Sequence, residues 1–148
     1  MEYTKQPLSI SDQTAMLKAR GLIFADEQKA QQMLATVSYF RLAAFLRPME
    51  ADKTTHQYKP NATFEKAVAL YEFDAELPRR LQNPWLNNTN VTFNKLYPQL
   101  CCIAYWLRSI DPQSTFVADL KTLLVKYPTV DIAAMGFPKG WQQEPLWQ

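Results

Sequence analysis

The 148 residues suffice for a single compact domain, and 47% hydrophobic against 20% charged residues excludes a disordered chain. Three glycines argue against glycine-rich phosphate loops, and a single histidine, His56, excludes a two-histidine metal site or a histidine pair for acid–base work. A net charge of +2 permits a nucleic-acid partner without demanding one.

The opening MEYTKQPLSISDQ is polar and lacks the apolar stretch of a signal peptide. Ser9 or Ser11 caps a first helix with Met16 and Leu17 on one face, and Gly21 falls where a left-handed C-terminal cap belongs. A second helix starts at Asp26, whose carboxylate accepts from the free N–H groups of residues 28 and 29; Ala30, Met33, Leu34 and Val37 form its stripe. Tyr39, Leu42, Ala43 and Leu46 recur at i, i+3, i+4, i+7, predicting a third helix set at an angle to the second and ended by Pro48. Residues 49–62 are polar and read as an exposed loop carrying His56, with no carboxylate held near it.

Thr63 caps a helix bearing Phe64, Ala67, Val68, Leu70, Tyr71 and Leu77, which Pro78 should end or kink near Leu77. The stretch 78–94 then loses all periodicity, with Pro78, Pro84 and several asparagines, and reads as a long irregular connection. Periodicity returns in Leu96, Leu100, Ile103, Ala104 and Leu107, with Pro98 tolerated in the first turn. Ser114 caps a helix of Phe116, Val117, Leu120, Leu123 and Leu124, stopped before Pro128, and a short turn holds Val130, Ile132 and Ala133. The tail is too short and proline-rich for a helix; its Phe137, Trp141, Leu146 and Trp147 are expected to strap back over the helices. No hairpin signal or internal repeat stands out. The expected fold class is all-α: a compact helical bundle forming one domain, 1–148, with an N-terminal half (1–77), an irregular junction (78–94) and a C-terminal half (95–148).

Little chemistry is spelled out. Cys101 and Cys102 are adjacent and offer no Cys-x-x-Cys zinc spacing; as small buried hydrophobes they suit a reducing cytosol. No apolar run approaches the ~18 residues of a membrane span, so a cytoplasmic chain is expected, with no membrane, small-molecule cofactor or metal. Asp74 and Glu76 are two apart on a helix and read as separate solvated charges. Basic residues fall in small groups: Lys18 with Arg20, Arg41 with Arg47 flanking aromatic positions, and Arg79 with Arg80 opening the stretch that contains Trp85. Arginine beside an exposed aromatic can hold phosphate and stack a base, so these five arginines are the expected RNA-binding residues.

Four ordered blocks carry a family resemblance. They are Tyr3, Lys5, Pro7, Gln13, Leu17, Arg20 and Gly21; Ser38-Tyr39-Phe40-Arg41-Leu42; Thr63-Phe64-Glu65 with Leu70-Tyr71-Glu72-Phe73-Asp74 and Glu76-Leu77; and Met135-Gly136-Phe137-Pro138 with Trp141 and Pro145-Leu146-Trp147. Together they resemble the Abi family of the AbiD/AbiF type. The resemblance implies abortive infection, a bacterial phage defence, and a HEPN-like helical protein related to RNA-cleaving toxins. It also implies a metal-independent site in which an arginine holds phosphate and a histidine four to six residues later moves a proton. That motif is absent: the nearest arginine upstream of His56 is Arg47, nine residues away. Asp74-Ala75-Glu76-Leu77 runs directly into Pro78-Arg79-Arg80, which implies an internal deletion that drops the catalytic helices. No catalytic residue is therefore assigned. The expected role is a non-catalytic phage-defence protein that binds RNA or a full-length relative and acts as an immunity or regulatory partner, with self-association as a further expected contact. The alternative is a ribonuclease with a composite site in a dimer.

Overall fold

The structure, a computed structural model, describes residues 8–81 and 96–148. The irregular connection expected at 78–94 lies outside the described residues from 82 onward, as do Tyr3, Lys5 and Pro7. The described chain is mostly helical and divides into two compact units, Met1–Tyr71 and Glu72–Gln148.

In the first unit, α1 (Ile10–Ala19) opens at Ser9, whose hydroxyl accepts the Asp12 N–H at 3.1 Å. It closes at Gly21, φ +89°, with the Gly21 N–H on the Lys18 carbonyl and the Leu22 N–H on that of Leu17. This crossed pair satisfies two end carbonyls and brings Leu22 beside Leu17, both buried. Helix α2 (Glu27–Val37) opens at Asp26, which accepts the Lys29 N–H at 3.1 Å. That bond, above other causes, holds the Asp26 carboxyl below its ordinary value. Ser38, at φ +69°, turns the chain into α3 (Tyr39–Leu46), which a 3-10 turn, Arg47–Met49, follows through Pro48. Leu34, Leu42 and Leu46 meet Leu17, Leu22, Ala30, Tyr58, Ala62, Phe64 and Ala67 in one core.

Residues 49–62 are largely exposed, as their polarity predicts, but they are not a loop throughout. They contain an antiparallel hairpin, β1 (Glu50–Asp52) and β2 (Gln57–Tyr58), paired Glu50 to Tyr58 and Asp52 to Gln57 with an irregularity between. Strands of three and two residues are too short to show an alternating pattern, so no hairpin signal reaches the sequence. Side chains supply the turn: Asp52 accepts the Thr54 N–H at 2.8 Å and the Thr55 hydroxyl at 2.6 Å. The Tyr58 N–H on the Arg20 carbonyl (2.9 Å) then ties the hairpin to the end of α1.

Helix α4 (Phe64–Arg80) starts at Thr63, whose hydroxyl accepts the Lys66 N–H at 3.3 Å. Glu65 accepts the Ala25 N–H at 2.9 Å, fixing this start to the approach of α2. The helix does not stop at Leu77. It runs through Pro78 to Arg80, and the Leu81 N–H still reaches the Leu77 carbonyl at 3.1 Å. Leu77 and Leu81 are both buried, so burial holds the last turn where proline supplies no N–H.

The second unit adds α5 (Leu96–Ile110) and α6 (Phe116–Lys126), with Leu100, Ala104, Leu120 and Leu123 buried as the apolar spacing predicts. The cap of α6 is Thr115, one residue later than expected, although the Ser114 hydroxyl accepts the Phe116 N–H at 3.4 Å. The tail forms two 3-10 turns, Trp141–Gln143 and Pro145–Trp147. Phe137, Trp141 and Trp147 are buried, with ring centroids 4.9–5.8 Å apart in a cluster that includes Tyr97. The Tyr97 hydroxyl donates to Glu144 at 2.6 Å and accepts the Trp147 indole N–H at 3.1 Å.

Candidate nucleic-acid interface

Helix α3 buries Leu42 and Leu46, so the residues outside that stripe must form its outer face. At ~100° per residue, Phe40, Ala44 and Arg47 form one row, with Arg41 and Pro48 beside it, all within about 120° of arc. All five are exposed, and Phe40 is 91% exposed. Neither Arg41 nor Arg47 has an ion-pair partner among the described residues. The face thus presents an open aromatic ring and two exposed arginines, with no acidic side chain in the row.

The other expected arginines sit differently. Arg20 caps α1, is half-buried, and points a guanidinium N–H at the Tyr39 hydroxyl, 3.5 Å away. Arg79 and Arg80 lie exposed at the end of α4, where cations complement the helix dipole, and the Arg80 Nε is 3.7 Å from Glu76. The structure therefore joins Arg41 and Arg47 on one face, engages Arg20 elsewhere in the same unit, and places Arg79 and Arg80 in the other unit.

A second polar group was not legible. His56, in the left-handed region at φ +57°, sets its Nδ1 3.2 Å from the Glu50 carboxylate, which is largely buried. This corrects the reading of an isolated loop histidine: the hairpin fold-back supplies the carboxylate. Tyr58 lies close by. Burial first, then Tyr39 and Glu50, push its hydroxyl up to about 12, while Arg20 opposes them. Arg20, Tyr39, Glu50, His56 and Tyr58 thus gather around one corner of the first unit. Their sequence separations leave no local pattern to find; Phe40, by contrast, is identifiable as the aromatic that the α3 stripe leaves out.

The reading of Asp74 and Glu76 as separate solvated charges is also corrected. Glu76 accepts from the Lys126 ammonium and, at 2.9 Å, from the Tyr127 hydroxyl; the Lys126 bond, above other causes, holds its carboxyl below the ordinary value. Asp74 is half-buried, and burial pushes its carboxyl up. Cys102 is exposed rather than buried, and Cys101 is half-buried. Among the described residues, no group of three or more His, Cys, Asp or Glu side chains is placed to hold a metal ion, and no helix is long and apolar enough to cross a membrane.

A family model described as Abi-like protein matches residues 32–97, a little less than half the chain. The match takes in α3, the hairpin and α4, and it supports the Abi family for this stretch. A search of curated proteins finds no match, and a search of solved structures finds none.

Proposed function

We propose that this chain is a phage-defence protein of the abortive-infection kind that binds single-stranded RNA on the outer face of α3 without cutting it. The Abi-like match, which includes that helix, supports the defence role. The observation that carries the RNA reading is Phe40: a ring 91% exposed, with Arg41 beside it and Arg47 about two turns further along the same row. A base stacks on an open ring whatever its identity, and guanidinium groups grip the flanking phosphates. The missing Arg-to-His spacing around His56 supports binding over cleavage.

Fluorescence polarisation of a labelled oligo-RNA at two salt concentrations tests this. Phe40→Ala should cost ~1–3 kcal/mol, about 5- to 150-fold in affinity. Arg41→Ala should weaken binding and flatten its dependence on log salt by ~0.7. Absence of binding even at low salt removes RNA as the partner, and undiminished binding by both variants removes α3 as the surface.

The ribonuclease reading draws on a separate observation: Arg20, Glu50 and His56 bring a cation, a carboxylate and an imidazole to one corner of the first unit. Cleavage of total RNA by the wild type, abolished in His56→Ala, would favour that reading; RNA left intact by the wild type would sink it.

A further inference from the structure

We infer that the outer face of α5 pairs with the same face of a second copy of this chain. Helix α5 is apolar on both sides. Its inner row, Leu96, Leu100 and Ala104, is buried. On the opposite side Cys102, Trp106 and Ile110 form an i, i+4, i+8 row with Tyr105 and Ser109 next to it. Tyr105 is 67% exposed, Trp106 66% and Ile110 70%, so three of the large hydrophobic side chains most open to solvent share this single face. Such a contiguous apolar stripe on a helix marks an interaction surface, unlike scattered exposed residues.

Charge selects the occupant. The only charged residue of α5 is Arg108, on its flank, where the guanidinium donates to the Gln148 carbonyl at 2.7 Å. The outer row has no cation to hold phosphate, and α5 lacks the basic polar side of a membrane-surface helix. A twofold axis sets a surface against itself, so the face it uses must carry no repelling like charges. The α5 face meets that condition; the α3 face, with Arg41 and Arg47, does not. Exposed tryptophan and tyrosine are also the side chains that anchor interfaces most often.

Size sets the strength. Aromatic rings of ~150–250 Å² left two-thirds open, with Ile110 and Cys102, give on the order of 500 Å² per copy and about 1,000 Å² in the pair. That is the lower limit of specific association, so the pair is weak and reversible, in the micromolar range.

Sedimentation velocity on the full chain, from about 1 to about 200 µM, reads this directly. The wild type should shift from monomer to a species of twice the mass as concentration rises. Trp106→Asp and Ile110→Asp should remain monomeric throughout, and the milder Trp106→Ala should weaken dimerisation about 10-fold or more. Val125→Asp, an exposed substitution on α6, should dimerise like the wild type. Far-UV circular dichroism verifies that each variant is folded; if the aspartate variants unfold, Trp106→Ala decides. A wild type that stays monomeric, an open series of larger species, or Trp106→Ala dimerising at full strength each overturns the inference.

Discussion

Asp74 and Glu76 stand two residues apart on α4 and respond to their surroundings with opposite signs. Burial raises the Asp74 carboxyl, so the folded chain keeps that proton at a pH where the unfolded chain has lost it. The cost of ionising Asp74 is therefore absent below the ordinary carboxylate value of about 3.9 and grows as pH rises through the folded value. Asp74→Asn should raise the melting temperature at pH 7 and leave it unchanged near pH 3. Glu76, lowered chiefly by Lys126, behaves in reverse: its stabilisation is present at neutral pH and is lost as pH falls through the depressed value. Glu76→Gln should lower the melting temperature at pH 7, and the deficit should close in acid. Thermal melts of both variants across pH 3 to 7 (a window of about four units around the carboxylate range) check the two signs together. Neither sign was legible in the sequence, because Lys126 and Tyr127 reach Glu76 from some fifty residues away and the burial of Asp74 is set by tertiary packing.

At the scale of elements, legibility follows the range of the cause. The α1 terminus could be read from Gly21 because a left-handed cap is a local demand, and the α3 stripe could be read because its period is written in eight residues. The outer face of α3, with Phe40 and Arg41, follows as that stripe's complement. The hairpin could not be read: its strands are too short for a period, and what holds it is the tertiary bond from Tyr58 to Arg20. The polar corner at Glu50 and His56 was hidden with it. Pro78 is the opposite failure, a strong local rule overridden by packing. Its missing N–H withdraws the bond the Asp74 carbonyl would accept, while buried Leu77 and Leu81 keep the turn helical. Pro78→Ala should return that bond and stabilise the fold by ~1–2 kcal/mol, the gain trimmed by the extra freedom alanine gives the unfolded chain. Urea unfolding with an unchanged slope measures it; a loss of stability would mean that the Asp74 carbonyl gains nothing from a helical N–H.

At the scale of the whole molecule, the described residues fall into two compact units, each with its own buried side chains. The first draws its core from a continuous run of elements, Leu17 through Ala67, which explains why its helices were individually legible. The second buries its largest side chain, Trp147, from the far end of the chain, where no periodicity announces it. The tail's rings meet Tyr97 at the start of α5, some fifty residues earlier, through the indole N–H of Trp147 on the Tyr97 hydroxyl. Truncating one buried aromatic side chain costs ~3–5 kcal/mol, so removing Phe137, Trp141 and Trp147 together costs on the order of 10 kcal/mol, comparable with the ~5–15 kcal/mol that a domain has in all. Deleting residues 136–148 should therefore unfold the second unit: near-UV circular dichroism falls, and the remaining helical signal melts as the first unit alone. Trp147→Phe, which keeps a ring and loses only the N–H and some packing, should lower the melting temperature while leaving the unit folded. A deletion variant that melts like the full chain would show that the tail's rings, however buried, contribute nothing to holding α5 and α6 in place.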